Sequence, residues 1–279
     1  MERQKLTLSH RELIEPALKA MRCELSEYSF ANLYLYRQVH EIEALLGDEL
    51  YISGKTYDAK RFLMPTSLQG LEKLARQDKL LEGIDCLFPI AEEWLTLFDP
   101  ARFKAYYKDD DSDYLFETLH MATLKGRHLS KKRNQVKQFH ELYSVVKKKL
   151  DSSNKGDALQ LLKMWNELHQ FTDTPCQEAI ELLDALHLEG EIYYIENEPA
   201  GFMIGEAITD ETYCLHFSKA NIKFKGIYQY LCQDSALGLL DRVTFLNMEQ
   251  DLGQPDLRQA KHSYQPLKMC RKFRVLLYT

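Results

Sequence analysis

The segment Lys223-Phe224-Lys225-Gly226-Ile227-Tyr228 sets two lysines and a glycine where strand character gives way to a helix. The first amides of a helix lack partners and the helix dipole is positive at that end, so such a turn can grip a phosphate. It can equally be an ordinary strand-to-helix turn. Glu249 and Asp251 follow the end of a strand, two residues apart. On an extended backbone that spacing points both carboxylates to one side, where one can act as a base or hold an ammonium. The plainer reading is that both cap the next turn. Tyr264 supplies a phenol that can protonate a leaving group, or simply bond the backbone from a half-buried position. Attack by an amine or hydroxyl on an ester or thioester needs these parts: a proton acceptor for the nucleophile and a proton donor for the leaving group.

A second feature is charge. No acidic side chain occurs from Thr118 to His140, while Lys125, Arg127, Lys131, Lys132, Arg133 and Lys137 all lie there. Arg127, Lys132 and Arg133, with Arg258 and Lys261, can hold phosphates of a donor such as a tRNA acceptor end. Lys132 and Arg133 are adjacent, so on a helix they occupy different faces and only part of the run can converge. The other reading is a solvated helix face. The formal charge of −6 argues against wrapping a nucleic-acid duplex and confines polyanion contacts to a local patch.

Composition excludes several classes. At 279 residues, 45% apolar and 28% charged, the chain has the makings of one large or two modest soluble domains. Its six cysteines form no C-x-x-C pair and its nine histidines form no metal-binding spacing, so reduced thiols and no metal are expected. Lys108–Asp113 reads as a solvated acidic turn that can, less commonly, bind a cation. Neither a secretory leader nor a membrane-spanning run of ~18 apolar residues is present, so a soluble, cytoplasmic protein is expected. Trp94 and Trp165 read as core.

The elements that must position these residues follow from periodicity and punctuation. Ser9-His10-Arg11-Glu12 reads as a capping box for a helix over 11–22, with a second helix over 29–38. A hairpin over 41–53 turns at Gly47-Asp48, followed by a strand at 61–65, a helix at 68–77, a strand at 85–89, a helix at 91–98 and strands at 103–107 and 114–117. Helices are expected at 129–140 and 156–171, and another from Thr174, read as cap, with Pro175 at its first position. Strands at 191–196, 201–208 and 212–218 form an antiparallel meander, followed by a helix over 226–240, a strand over 243–248, a helix over 256–264 and a last strand over 271–277. The order strand, helix, strand, helix, strand thus occurs twice, over 61–107 and over 212–277, which suggests an architectural duplication. The boundary is expected near 122–126, giving units 1–123 and 124–279.

The meander, the strand over Tyr213–Ser218, the Lys-x-Lys-Gly turn and the long helix resemble the core of GNAT acyltransferases. In that family a basic-x-x-Gly turn wraps the pyrophosphate of coenzyme A, and Lys223 and Gly226 stand in matching positions. Tyr228 stands where the family usually has a small residue, and its bulk would obstruct the pyrophosphate. The likeness widens with Tyr114-Leu115-Phe116-Glu117, Gly126-Arg127-His128-Leu129-Ser130-Lys131-Lys132-Arg133-Asn134, His216-Phe217, Asn247-Met248-Glu249-Gln250-Asp251-Leu252-Gly253 and Leu257-Arg258-Gln259-Ala260-Lys261-His262-Ser263-Tyr264. Together these resemble the C-terminal domain of phosphatidylglycerol lysyltransferases over essentially the whole chain. The resemblance implies an α/β (α+β) fold of two tandem GNAT-like units, each a mixed, mostly antiparallel sheet flanked by helices. Membrane-bound members of that family move an aminoacyl group from aminoacyl-tRNA to a lipid head group.

The resemblance further implies an acyl- or aminoacyltransferase with no tightly bound cofactor, taking acyl-CoA or aminoacyl-tRNA as donor and a small molecule, peptide or lipid head group as acceptor. Its donor site is expected in the C-terminal unit, at Lys223, Lys225, Gly226 and Tyr228 with Arg127, Lys132, Arg133, Arg258 and Lys261. Glu249, Asp251 and Tyr264 are the candidate acid-base residues. The alternative is a non-catalytic anion- or nucleotide-binding module on the same fold, with Tyr228 blocking the donor.

Overall fold

The computed structural model describes residues 1–278 and, at Asp78, the backbone alone. The chain forms two compact units. The first comprises Met1–Tyr114, Glu249–Arg258 and the chain from Met269 onward; the second comprises Leu115–Met248 and Gln259–Lys268. This division differs from a single boundary near 123, because three segments after residue 248 alternate between the units.

The first unit holds β1 (Glu2–Lys5), α1 (Arg11–Ala20), α2 (Phe30–Leu35), β2 (Glu43–Leu46), β3 (Tyr51–Lys55), β4 (Arg61–Pro65), α3 (Leu68–Arg76), β5 (Cys86–Ile90) and β6 (Phe103–Tyr107). Strand β7 (Asp113–Glu117) leads into the second unit, which holds α4 (Thr118–Thr123), α5 (Ser130–Leu142), β8 (Val145–Lys149), α6 (Lys155–His169), α7 (Thr174–Glu181), β9 (Glu189–Ile195), β10 (Glu198–Ala207), β11 (Thr212–Ala220), α8 (Ile227–Leu239) and β12 (Phe245–Asn247). The chain ends through α9 (Pro255–His262), β13 (Lys268–Cys270) and β14 (Phe273–Leu277).

Each unit has a mixed sheet on one plan. In the first, the order is β1-β2-β3-β4-β5-β14-β6. Strands β4 and β5 are parallel, joined across α3, and their neighbours are antiparallel. In the second, β8, β9, β10 and β11 form the expected antiparallel meander, β11 runs parallel to β12 across α8, and β7 adds antiparallel to β12. The helices that link parallel strands supply the right-handed crossover such pairs require.

The last strand does not complete the second unit. Strand β14 lies between β5 and β6 in the first sheet, with Phe273 paired to Ile90 and Tyr107. Val275 is fully buried there, and Lys272 and Arg274 find carboxylates of the first unit, which together favour this place over the second sheet.

Local chemistry explains the starts of α2, α3 and α7. Ser29 and Ser67 accept from the amides of Asn32 and Gly70 at 3.0 and 2.8 Å and so start α2 and α3. Two expected caps are displaced. The start of α1 is preceded by a 3-10 turn, Leu8–His10, where the Thr7 amide donates to His10 Nδ1 at 3.1 Å in place of a box at Ser9. Helix α7 is capped by Asp173, whose Oδ1 accepts from Cys176 N at 3.1 Å, so Thr174 is already helical. The apolar stretch expected as a helix at 91–98 is a 3-10 segment, Glu92–Leu97. Among the described residues no helix is long and apolar enough to cross a membrane, and all six cysteines are free thiols.

Candidate functional site

A cavity of about 60 Å³ opens in the first unit. Phe62, Met64 and Phe88, from β4 and β5, form its apolar wall, and Glu27, His40, Tyr57, Asp111, Gln250 and Arg274 supply its polar groups. These come from distant parts of the sequence: the loop before α2, the end of the turn after it, the acidic turn between β6 and β7, the loop after β12, and β14.

Beside the cavity lies a buried ionic cluster. Lys272 Nζ is 2.6 Å from Asp113 Oδ1 and 2.8 Å from Glu27 Oε2, and it donates to Ser26 Oγ and Gln250 Oε1 at 3.0 and 2.8 Å. Burial pushes the Glu27 carboxyl up to about 7; Lys272 opposes the shift and Asp113 adds to it. Burial disfavours the Lys272 ammonium, yet the two carboxylates outweigh it and hold its pKa above the usual lysine value. Arg274 donates through Nη1 to Asp58 and through Nη2 to Asp111, each at 2.7 Å. The acidic turn is therefore not merely solvated: Asp111 serves Arg274 and Asp110 serves Arg258.

The segment from Glu249 to Gly253 walls this region and carries unusual backbone. Glu249 and Leu252 adopt left-handed conformations, φ +56° and +52°, and Gly253 follows at +72°. Non-glycine residues held there cost of order 1–3 kcal/mol each and concentrate at functional sites. The strain is held by a network around Asp251, a side chain only 1% exposed. Tyr114 donates its hydroxyl to Asp251 Oδ2 at 2.6 Å, Gly253 N donates to Oδ1 at 2.8 Å, and Arg258 donates to both oxygens at 2.8 Å. Arg258 also reaches Asp110 Oδ1 at 2.5 Å. Burial would raise the Asp251 carboxyl, but Arg258, Tyr114 and the Gly253 amide pull it down to about 2.

That geometry separates the expected carboxylate pair. Because Glu249 leaves the extended region, the two side chains do not share a side: Glu249 Oε1 accepts from Asn32 Nδ2 at 3.0 Å, and Asp251 turns to Arg258. Asp251, ionised down to such low pH, is too weak a base for the acid-base role expected of it, and its bidentate partner Arg258 is an anchor for the loop rather than a phosphate ligand.

The other expected residues lie in the second unit. Gly226 caps α8 at φ +93°, and a Cβ there would sit 3.2 Å from the Gln135 carbonyl oxygen on α5, so only glycine fits. The turn's anion-binding capacity is partly spent. The Ile227 amide donates to the Phe224 carbonyl at 3.1 Å, Lys223 is ion-paired with Glu198, and Lys225 is exposed. The Tyr228 hydroxyl accepts from Trp165 Nε1 at 3.1 Å and from the Ala220 amide at 3.3 Å. Trp165, read as core, thus anchors Tyr228 and also lies 3.5 Å from Lys219 Nζ, ring centroid to nitrogen.

The basic run divides. Arg133 donates through Nη1 to the carbonyls of Leu124 and Gly126 and stitches the turn before α5. Lys132 lies 3.6 Å over the Tyr264 ring, and burial lowers its pKa. Arg127, Lys125, Lys131 and Lys137 are exposed, and Lys261 is half-buried. The Tyr264 phenol is buried, and desolvation with the neighbouring Cys232 thiol raises its pKa.

Sequence reasoning missed Glu27, His40, Lys272 and Arg274, and read Asp111 only as part of a solvated acidic turn. One signal was available: in Arg271-Lys272-Phe273-Arg274-Val275 the charges alternate with apolar residues inside a strand. Both faces of an inner strand are buried, so such charges need partners.

With the geometry in place, the chain can be set against known proteins. Residues 20–276 match the family model described as phosphatidylglycerol lysyltransferase, C-terminal. A conserved protein of unknown function from Bacteroides thetaiotaomicron superposes with a TM-score of 0.88 at 23% identity, covering 100% of both chains. The C-terminal domain (DUF2156) assigned to a lysylphosphatidylglycerol synthetase of Agrobacterium fabrum gives 0.69 at 11% identity, over 97% of this chain and 92% of its own. FemX gives 0.64 at 10% identity, over 100% and 98%. At these identities the structural likeness is one of fold.

Proposed function

Because the chain belongs to the phosphatidylglycerol lysyltransferase C-terminal family and has its fold of two tandem GNAT-like units, we propose that it transfers an aminoacyl group from aminoacyl-tRNA to an amine or hydroxyl acceptor. The observation that carries the choice of donor is the occupied turn at α8. With Tyr228 bonded across to Ala220, the Ile227 amide bonded to Phe224 and Lys223 neutralised by Glu198, little remains there to hold the pyrophosphate of coenzyme A. The matching turn at α3 is no better, since Ser67 donates its hydroxyl to the Glu49 carboxylate at 3.0 Å and a carboxylate there repels an anion. The exposed Lys125, Arg127, Lys131 and Lys137 suit instead the extended phosphate chain of an RNA.

In this reading Glu249 is the proton acceptor, held by Asn32 on a strained loop that Asp251 and Arg258 anchor. The acceptor nitrogen or oxygen bonds to the ester carbonyl carbon as its proton passes to Glu249. The bond to the ribose oxygen then breaks as Glu249 returns that proton, and the oxygen leaves as the ribose hydroxyl. Tyr264, buried against Cys232 and Lys132, packs the second unit rather than serving as the acid. A peptide, a small molecule and a lipid head group all satisfy the nucleophile's chemistry.

The test is single-turnover transfer from labelled aminoacyl-tRNA by the full chain, with peptide, amine and phosphatidylglycerol acceptors offered in parallel. Glu249→Gln should slow transfer by roughly 10²-fold or more with the circular dichroism spectrum unchanged; equal turnover in the variant overturns the role of Glu249. The exposed Lys125, Arg127, Lys131 and Lys137 also support a second reading, a non-catalytic anion-binding module, which predicts tRNA binding with no transfer to any acceptor.

A further inference from the structure

Strand β8 is the outermost strand of the second unit's sheet and pairs with β9 on one side only. Val145 is half-buried, the four residues after it are exposed, and Val146 is 54% exposed. The Leu150 amide donates to the Gly190 carbonyl at 2.8 Å, so by the alternation of an antiparallel ladder Val145, Lys147 and Lys149 turn their backbone groups away from β9. Asn154 Nδ2 donates to one of these groups, the Lys149 carbonyl, at 2.8 Å. The amides of Lys147 and Lys149 and the Lys147 carbonyl face outward with no partner among the described residues.

Folded proteins defend an open edge with lysines that reach into solvent, with a bulge, or with a covering element. On β8 two of the three lysines are drawn aside instead. Lys147 Nζ is 3.2 Å from Glu191 and 2.9 Å from Asp234, and Lys148 Nζ lies 5.0 Å from the centre of the Tyr194 ring. The pairing of Val145–Lys149 with β9 runs in unbroken register, with no bulge to turn the edge away. Beside the edge lies a groove of about 350 Å³, lined by Lys147 and Lys149 from β8 and by Met203, Leu215 and Leu239 further in. The groove's carboxylates already have partners: Glu189 accepts from both terminal nitrogens of Arg242 at 2.8 Å, and Glu191 pairs with Lys147. Lys149 forms no ion pair among the described residues, which leaves positive charge in excess along the groove's rim.

We propose that β8 receives an extended acidic segment of a partner protein, which adds to the sheet as a further strand. Its backbone pairs with the outward groups of Lys147 and Lys149. Its side chains alternate, carboxylates standing on the groove side beside Lys149 and aliphatic groups on the other side beside the exposed Val146. A second copy of this chain is a poor occupant, because β8 paired with itself sets lysines against lysines. The site lies wholly in the second unit and does not depend on the transfer reading.

The test uses the full chain and a capped, fluorescently labelled peptide of alternating valine and glutamate, about eight residues long. Polarisation should report saturable binding that weakens with salt, and hydrogen exchange should show the Lys147 and Lys149 amides slowed by about tenfold or more on binding. Methylating alternate backbone amides of the peptide should abolish binding, because the ladder cannot form. Lys149→Glu, at an exposed position, should weaken binding by roughly tenfold while the unliganded melting temperature stays near the parent's. No binding at about 1 mM peptide, equal binding of the methylated peptide or of one with lysine in place of glutamate, or unaltered binding by Lys149→Glu each overturns the assignment. So does a stable dimer in sedimentation whose Lys147 and Lys149 amides are already protected, since a second copy would then hold the edge.

Discussion

The Lys272 ammonium lies 2.6 Å from the Asp113 carboxylate with neither side chain exposed to solvent. Removing one partner of such a pair leaves an uncompensated charge in the interior. Lys272→Met should therefore lower the stability of the full chain by about 3–5 kcal/mol, and adding Asp113→Asn should recover part of the loss. Urea unfolding of the two variants measures this, and a single substitution costing under about 1 kcal/mol contradicts a cluster that carries buried charge.

The same cluster gives stability a particular pH profile. The Glu27 carboxyl stands raised from 4.5 to about 7, so the folded chain binds more protons than the unfolded one between those values. Its contribution is complete below pH 4.5 and is lost as pH rises towards 7. Asp251 runs the other way: lowered from 3.8 to about 2, it contributes above 3.8 and is lost as pH falls towards 2. In a pH series of melting curves, Glu27→Gln should flatten the decline on the neutral side while leaving the acid limb in place.

Arg258 is the removable clamp of the strained loop. Arg258→Gln takes away both donors to the Asp251 carboxylate, and Asp251 should then titrate closer to its ordinary value, read by carbon-detected NMR of the side-chain carboxyl. Proteolytic nicking between Glu249 and Gly253 should become faster, since the left-handed residues are held by that network. An unmoved Asp251 titration would mean that Tyr114 and the Gly253 amide suffice alone.

Gly226 is required by two independent constraints, its φ of +93° and the 3.2 Å approach to the Gln135 carbonyl. Gly226→Ala should cost about 1–2 kcal/mol from the backbone conformation, with the steric term in addition. Denaturant unfolding checks the magnitude. Loss of tRNA binding without loss of stability would instead point to a direct ligand role for the turn.

The exposed basic face supplies the last expectation. Charge reversal at Arg127, Lys131 and Lys137 should weaken tRNA binding alike for all sequences, with the slope of log affinity against log salt falling by about 0.7–0.9 per phosphate contact removed. Arg133→Gln should act on stability instead, because its guanidinium is committed to the Leu124 and Gly126 carbonyls. A nitrocellulose-filter titration over several salt concentrations separates the two.

Much of the fold was legible before any coordinates. The meander of β9, β10 and β11 and the crossover helices α3 and α8 are local matters of alternation and periodicity, which a linear reading captures. The site was legible only in part. Glu249, Asp251 and Arg258 were singled out, but their mutual arrangement depends on a left-handed turn at Glu249 that residue spacing does not announce. Tyr228 was recognised as bulky, whereas its bonds to Trp165 and Ala220 join segments far apart in the chain.

What the amino-acid order determined by itself was the kind of unit: mixed α/β, built twice, with a glycine at the start of one helix and a basic face on another. Tertiary structure alone decided that β14 enters the first sheet, and hence that Lys272 and Arg274 meet Glu27, Asp58, Asp111 and Asp113. Local propensities act over a few residues and are written in sequence. The partner of a buried charge is chosen by the desolvation cost of leaving it alone, a quantity that exists only once the chain has closed around it.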